Sequence, residues 1–233
     1  MAEIIDFMIG NVATKALVAS PKSGQAKAGV VVSFNHNGFD PSTRSIVDNL
    51  ALEGFAAIAP FHYHVMPEGV DLEHRRDYLR DEQFAEDFQS SFDWLVTQQK
   101  IDSKKIALIG HCQGGRAAWV GATAKPDLWA CVCVWYGGGA FRQSGALPSP
   151  YDSLDKIKAP IMGFFGNADK NPSIEDVDKF EARLKSGGKD FVFHRYDGAG
   201  HAFMNFDHEH YHAAATEHSW REAMTFLKKH IVE

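Results

Sequence analysis

The chain has 233 residues and a formal net charge of −6, with 45% hydrophobic and 23% charged residues. This length suits a single domain, residues 1–233, and the proportions are ordinary for a soluble globular enzyme. The mild negative charge and the lack of a basic run argue against nucleic-acid binding. No apolar run approaches the roughly 18 residues of a membrane-spanning helix, so we expect no membrane partner.

The cysteine content and the N-terminal residues indicate the cellular compartment in which the protein works. Three cysteines do not make a disulfide framework. Cys131 and Cys133 are two apart on a predicted strand, so they share a face and are expected to lie in the core. Residues 1–6 lack the charged and apolar regions of a secretory signal peptide. We therefore expect a cytoplasmic protein, monomeric or homodimeric, with a small-molecule substrate.

Strand and helix patterns alternate along the chain. Runs rich in β-branched and apolar residues predict strands at 14–19, 28–34, 55–59, 105–109, 129–135, 160–165 and 190–196. Helical patterns predict helices from Asp40-Pro41 to Gly54, at 84–99, 174–184 and 216–230, and from a helix-forming run at 116–119 to about 124. The order predicts an α/β fold: a mostly parallel sheet with helices on both faces. Residues 61–82, rich in histidine and charge, are expected to cover a site.

A Gly-x-Cys-x-Gly sequence lies between a predicted strand and a predicted helix. Gly110, Cys112 and Gly114 form it, after an apolar run that ends at Ile109. This is the strand–elbow–helix pattern of α/β-hydrolases, with cysteine in place of serine. Glycines there allow the chain to pass close to itself. A thiol at a helix N-terminus is expected to have a lowered pKa.

Three reactive side chains follow predicted strands: Cys112, Asp169 and His201. Their chain order of nucleophile, acid and histidine is that of the α/β-hydrolase triad. The thiolate would attack a carbonyl, the imidazole would later activate water, and the carboxylate would orient the imidazole. The backbone N–H groups of Gln113 and His36 are the predicted oxyanion hole.

At these residues the sequence resembles the dienelactone hydrolase family, from about residue 12 to the C-terminus. The motifs that carry the resemblance are Gly-His-Cys-Gln-Gly-Gly at 110–115, Phe-Gly-Asn-Ala-Asp at 165–169, Gly-Ala-Gly-His-Ala-Phe at 198–203, Ala-Ala-Ile-Ala-Pro at 56–60 and Tyr136-Gly137. The resemblance implies a Cys–His–Asp hydrolase of lactones or related esters, which works through a thioester and needs no metal or organic cofactor.

The sequence departs from the family at two positions. Members that open the muconate-pathway lactone carry a glutamate that pairs with the cysteine, and the matching position here is Asn35. They also bind the substrate carboxylate with an arginine four residues after the histidine, and that position is Asn205. A second arginine of the family corresponds to one of Arg75, Arg76 and Arg80. We therefore predict that His201 is the only side chain that controls the resting thiol.

Five side chains are predicted to line the substrate pocket: Asn35, His62, Tyr136, Phe203 and Asn205. For His62 a structural role in the interior is an equal alternative. Tyr136 and Phe203 could belong to the pocket wall or to the core.

Histidines near the C-terminus suggest an alternative function, a metal-dependent hydrolase. They are His208, His210, His212 and His218, but their spacing is not that of a zinc-binding helix. We therefore predict a solvated loop that runs into the last helix, with no metal site. A second alternative is a non-catalytic hydrolase-like protein that binds a ligand.

Overall fold

The computed structural model describes residues 1–22 and 24–233, which form an eight-stranded sheet flanked by helices. The strands are β1 (Glu3–Ile9), β2 (Val12–Ala19), β3 (Gly29–Ser33), β4 (Ala56–Pro60), β5 (Ile106–His111), β6 (Cys131–Trp135), β7 (Ile161–Gly166) and β8 (Phe191–Tyr196). The α-helices are α1 (Pro41–Leu52), α2 (Asp81–Thr97), α3 (Gln113–Ala124), α4 (Ile174–Ser186) and α5 (Ala213–Ile231). The predicted α/β class is confirmed.

The strand order is β1-β2-β4-β3-β5-β6-β7-β8. Strands β3 to β8 are parallel, and β1 and β2 form an antiparallel hairpin on the β4 edge. The sequence analysis did not predict β1. This strand pairs from Glu3 opposite Val18 to Ile9 opposite Val12, and most of its side chains are exposed or half-buried. An edge strand of this kind lacks the continuous apolar run that marks the central strands.

Local signals set the helix ends. The side chain of Asp40 accepts a hydrogen bond from the Thr43 N–H at 2.7 Å, so it caps α1 as predicted. Helix α2 begins at Asp81, three residues before the predicted start, and buries Phe84, Phe88 and Leu95. Ser173 caps α4, which leaves Asp169 free for another role.

Residues 61–82, predicted as a cover, contain two short 3-10 helices, His62–Val65 and Leu72–Tyr78. A third spans Tyr151–Lys156. In a parallel sheet, ligands bind beyond the carboxyl ends of the strands. The loops that follow β3, β5, β6, β7 and β8 all emerge at that edge, and they carry the candidate site.

Cys131 and Cys133 are fully buried on β6, which confirms their predicted place in the core. Burial raises the pKa of both thiols, so they remain protonated. Within the described part of the chain, no helix is both long and apolar enough to cross a bilayer.

Candidate active site

Cys112 occupies a strained turn between β5 and α3. Its backbone has φ 57° and ψ −117°, a conformation that costs a non-glycine residue about 1–3 kcal/mol. The turn is fixed by hydrogen bonds from the Cys112 N–H to the Trp135 carbonyl and from the Arg116 N–H to the Cys112 carbonyl, both 3.1 Å. The backbone of β6 and the first turn of α3 thus hold the sulfur above the sheet edge.

Two glycines permit this turn. A Cβ atom on Gly110 would lie 2.0 Å from the carbonyl oxygen of Gly114. A Cβ atom on Gly114 would lie 2.0 Å from the carbonyl oxygen of Ser33. Both contacts are with backbone, which cannot rotate away as a side chain can. Glycine is therefore required on each side of the cysteine, as predicted, because three chain segments approach one another closely here.

Cys112, His201 and Asp169 form a connected row. His201 Nε2 lies 3.0 Å from Cys112 Sγ, and His201 Nδ1 lies 2.8 Å from Asp169 Oδ2. The other carboxylate oxygen of Asp169 accepts the Asn171 N–H at 2.8 Å. The Asp169 side chain is almost fully buried, whereas the His201 ring is about one third exposed. This is the geometry that nucleophilic catalysis by a cysteine requires.

Burial of the Cys112 thiol by itself raises its pKa. The hydrogen bond from His201 opposes burial, as do the nearby His36 side chain, the charge of His201 and the backbone N–H of Gln113. Together they lower the pKa of Cys112 to about 6. For His201, burial lowers the pKa, but hydrogen bonds to Asp169 and Cys112 outweigh burial and raise it to about 10. These pKa shifts favour a thiolate and an imidazolium as the resting pair at neutral pH.

The prediction that His201 is the only side chain that controls the resting thiol stays a prediction. Among the described residues, His201 Nε2 makes the side-chain hydrogen bond to Sγ, and His36 lines the same cleft. Asn35 occupies the position that the resemblance assigns to a glutamate. Its side chain is hydrogen-bonded within its own loop: its Nδ2 donates to Asp40 Oδ2 at 3.0 Å, and its Oδ1 accepts the Asn37 N–H at 2.7 Å.

Gln113 and His36, the two residues of the predicted oxyanion hole, both line the cleft at the thiol. Gln113 is the first residue of α3, and its backbone N–H helps to lower the pKa of Cys112. Tyr63 ties the two residues together: its Oη donates to the His36 carbonyl at 2.9 Å and lies 3.4 Å from Gln113 Oε1. Tyr63 itself was not singled out in the sequence. Its role depends on the 3-10 helix at 62–65, which brings the phenol under the loop after β3.

The thiol opens into a cleft of about 1010 Å³. Three of the five predicted pocket residues, Asn35, Tyr136 and Asn205, line it together with the triad. The edge of the Tyr136 ring meets the His201 ring, with centroids 5.2 Å apart. The cover segment contributes Arg76, from the group of three arginines noted in the sequence, and Leu79.

The prediction that His62 and Phe203 line the pocket is wrong. Phe203 is fully buried and supports Tyr136 from behind, with ring centroids 5.1 Å apart. His62 is also fully buried, with Nε2 2.9 Å from Ser33 Oγ and Nδ1 2.6 Å from Asp87 Oδ2. The Asp87 carboxylate, on α2, holds this imidazole below the sheet edge. His62 follows a predicted strand, and that position alone did not show that Asp87, 25 residues later on α2, would be its hydrogen-bond partner.

Asp87 also accepts from His64 Nε2 at 2.8 Å and from Gln83 Nε2 at 2.7 Å. The two histidines of the 62–65 helix therefore serve a buried polar network that fastens the cover segment to α2. Such a network is stable because every partner of the buried carboxylate is a hydrogen-bond donor.

A second polar link under the cleft was also missed. The Arg116 guanidinium of α3 forms a bidentate ion pair with the buried Asp81 carboxylate and donates to the carbonyl oxygens of Gly139 and Arg142. Four of the five guanidinium N–H groups of Arg116 are engaged in these contacts. Through them Arg116 braces the 139–142 loop that forms one wall of the cleft.

The C-terminal histidines do not converge. His208 and His210 lie at the cleft, His212 caps α5 through the Ala215 N–H, and His218 bonds the Tyr196 hydroxyl at 3.0 Å. In residues 1–22 and 24–233, no three His, Cys, Asp or Glu side chains are grouped to hold a metal ion. The metal-dependent alternative has no ligand set in that part of the chain.

Known proteins match this chain over most of its length. The model of the Dienelactone hydrolase family matches residues 14–231. A curated protein of Yersinia pestis, "Putative carboxymethylenebutenolidase", is 28% identical over 224 residues, which cover 92% of this chain and 83% of that protein. A protein of the same name from Escherichia coli (strain K12) is 29% identical over 221 residues, which cover 91% of this chain and 81% of that protein.

Among solved structures, the crystal structure titled "Putative Dienelactone Hydrolase" from Klebsiella pneumoniae subsp. pneumoniae MGH 78578 has a similar fold. The TM-score is 0.87 at 24% sequence identity, with 97% of this chain and 98% of that chain covered. The agreement in fold extends over almost the whole length of both chains.

Proposed function

The chain belongs to the dienelactone hydrolase family, and on that premise we propose that it hydrolyses a lactone or carboxylic ester through Cys112, His201 and Asp169. The observation that carries the proposal is the 3.0 Å distance between His201 Nε2 and a sulfur held at a strained elbow. The curated relatives are named as carboxymethylenebutenolidases, enzymes of the same reaction class.

In the first half-reaction, the Cys112 thiolate attacks the substrate carbonyl carbon, and the carbonyl electron pair moves to oxygen. The N–H groups of Gln113 and His36 stabilise this oxyanion. When the carbonyl re-forms, the C–O bond to the leaving alcohol breaks and His201 Nε2 gives the alcohol its proton. Cys112 is then acylated as a thioester.

In the second half-reaction, neutral His201 takes a proton from water, and the water oxygen attacks the thioester carbonyl. The C–S bond breaks and its electron pair returns to sulfur. Asp169, 2.8 Å from Nδ1, keeps the imidazole in the tautomer that accepts at Nε2 and stabilises the imidazolium that forms. The product acid leaves and the thiolate–imidazolium pair is regenerated.

The direct test is capture of the thioester. The protein would be mixed with p-nitrophenyl acetate, quenched in acid within one turnover and digested for mass spectrometry. We expect an acetyl group on the peptide that contains Cys112, removable by hydroxylamine at neutral pH. Hydrolysis without any acylation of that peptide, also in an Asp169→Asn variant with slowed turnover, would contradict the proposal.

The charge around the cleft favours a substrate with a carboxylate. Arg76, Arg142 and Lys170 line it, and none of the three forms an ion pair among the described residues. Two carboxylates also line the cleft: Asp169 is engaged by His201, and Asp77 lies 3.4 Å from His74 Nδ1. Although Asn205 stands where the family has an arginine, a different set of cations is available to bind an anion. We also propose the cytoplasm as the site of action, because a thiolate nucleophile needs a reducing compartment.

A further inference from the structure

The loop after β3 forms a tight turn at residues 35–38. The Gly38 N–H donates to the Asn35 carbonyl at 3.3 Å, and the Asn37 N–H donates to Asn35 Oδ1 at 2.7 Å. Asparagine side chains commonly hold turns in this way. The His36 N–H takes part in neither bond and has no hydrogen-bond partner among residues 1–22 and 24–233. Because His36 lines the cleft, this N–H remains available to a substrate.

The 3-10 helix His62–Val65 holds this loop at two points. Tyr63 Oη donates to the His36 carbonyl at 2.9 Å. His62 Nε2 lies 2.9 Å from Ser33 Oγ, at the end of β3, and the Nδ1 atom of the same ring is bonded to a carboxylate of α2. Two consecutive residues of one short helix thus tie the loop that carries the His36 N–H to the body of the domain.

The Tyr63 phenol is itself fixed by its surroundings. The residue is 4% exposed, and its ring packs against those of Phe34 and Phe61, with centroids 5.8 Å from each. The Arg75 guanidinium lies over the ring, 5.3 Å from its centroid. Burial raises the pKa of Tyr63, so the hydroxyl keeps its proton and acts as a donor at neutral pH.

The same phenol also contacts Gln113, the other residue of the predicted oxyanion hole, with Oη 3.4 Å from Gln113 Oε1. Because the single phenol proton goes to the His36 carbonyl, Tyr63 can only accept from Gln113. The Gln113 Nε2 atom is buried and has no hydrogen-bond partner in the described part of the chain. A half-turn of the amide exchanges its two ends and brings this N–H onto the phenol oxygen. Tyr63 is therefore placed to order both residues.

We propose that Tyr63 is a positioning residue for the oxyanion hole: its hydroxyl fixes the turn at 35–38 so that the His36 N–H is held ready for the developing negative charge. This inference rests on the proposed function. Tyr63 is buried outside the lining of the cleft, so it acts through His36 and Gln113. Donors that are already in place stabilise the oxyanion well, because they need no reorientation as the charge develops.

The test compares two reactions of the same thiol in the wild type and in Tyr63→Phe, which keeps the ring and loses only the hydroxyl. Attack on p-nitrophenyl acetate creates an oxyanion, whereas alkylation by iodoacetamide displaces iodide from a saturated carbon and creates none. We expect kcat/KM for the ester to fall about tenfold, less than the roughly 100-fold that follows outright loss of a donor. The rate of alkylation and its pH midpoint should be unchanged.

A stable mimic of the intermediate gives a second measurement. The Cys112 thiolate adds to the carbonyl carbon of a trifluoromethyl ketone, and the carbonyl electron pair moves to oxygen, which gives a hemithioketal oxyanion. The inhibition constant of 1,1,1-trifluoroacetone is expected to rise in Tyr63→Phe by about the factor by which kcat/KM falls, because both depend on stabilisation of the same charge.

Tyr78→Phe is the matched control. It removes the hydroxyl of an exposed tyrosine in the same segment and should leave all three measurements unchanged. A wild-type kcat/KM and inhibition constant in Tyr63→Phe would overturn the proposal. Equal falls in ester hydrolysis and alkylation would also overturn it, because they would indicate a disturbed thiol and not a misplaced donor. A wild type that hydrolysed no ester would overturn the proposed function and this inference with it, whereas an active wild type matched by Tyr63→Phe would overturn only the role of Tyr63.

Discussion

His201 and Cys112 are 89 positions apart in the sequence, yet Nε2 of one lies 3.0 Å from Sγ of the other. The contact exists because β5 and β8 end at the same edge of a parallel sheet, separated by β6 and β7. Asp169, from the loop after β7, completes the row on the far side of the imidazole.

Replacement of Cys112 by alanine should abolish turnover. We expect kcat/KM for p-nitrophenyl acetate to fall by at least about 1,000-fold, because no other group in the cleft can form the thioester. Steady-state assays of purified protein would measure this. Cys131→Ala removes a buried thiol away from the cleft and is the matched control, expected to retain activity. Activity in Cys112→Ala within tenfold of the wild type would exclude this nucleophile.

Activity should decline on the acid side with a midpoint near pH 6. Below that pH, the thiolate, whose pKa is lowered to about 6, takes up a proton and the nucleophile is lost. A fall at high pH is expected near pH 10, where His201 loses the proton needed by the leaving alcohol. These midpoints belong to the interacting pair as a whole. The measurement is kcat/KM from pH 4 to 10.5.

Removal of the His201 imidazole should raise the pKa of the Cys112 thiol. In His201→Ala, the hydrogen bond and the positive charge that oppose burial are both lost, so the pKa of Cys112 should rise above its wild-type value. Alkylation by iodoacetamide against pH would detect the shift. A midpoint unaffected by His201→Ala would contradict the thiolate–imidazolium pair.

Gly114→Ala should destabilise the fold strongly. The added methyl group would lie 2.0 Å from the Ser33 carbonyl oxygen, a clash that only backbone movement can relieve. We expect a loss of roughly 3–5 kcal/mol in the free energy of unfolding. Gly187→Ala is the control, because φ is −80° and the nearest atom lies 3.3 Å from the new carbon, so its effect should stay within about 1 kcal/mol. Urea unfolding would compare the two.

The ion pair between Arg116 and Asp81 should stabilise the fold and brace the cleft wall. Asp81→Asn leaves a guanidinium in the interior without its counter-charge, which typically costs about 3–5 kcal/mol. Lys158 and Asp127 form an exposed pair, so Asp127→Asn should change stability by less than about 1 kcal/mol. Equal effects of the two substitutions in urea unfolding would show that the buried pair does not brace the loop.

Cations in the cleft should favour anionic substrates. For two esters that differ only in a carboxylate, we expect a lower KM for the anionic ester and a KM that rises with salt. Arg142→Gln and Lys170→Gln should raise KM for the anionic ester by roughly three- to tenfold each and leave the neutral ester unchanged. A neutral ester preferred by the wild type would contradict a carboxylate-bearing substrate.

The sequence alone determined the central strands, the elbow and the order of Cys112, Asp169 and His201. These features arise from local causes: continuous apolar runs, glycines beside a nucleophile, and reactive residues placed directly after strands. Since parallel strands end at one edge, the convergence of the three side chains also followed from chain order.

Only the tertiary structure decided which way the loop side chains point. Tyr63 holds the His36 carbonyl, and Asn35 hydrogen-bonds Asp40 within its own loop. His62 is buried and hydrogen-bonded to Asp87. Tyr63 and Asp87 lie on other segments of the chain. All three residues follow a strand, so that position alone did not show which of them would enter the cleft. The direction of a loop side chain depends on distant partners, whereas the elbow depends on its neighbours in sequence.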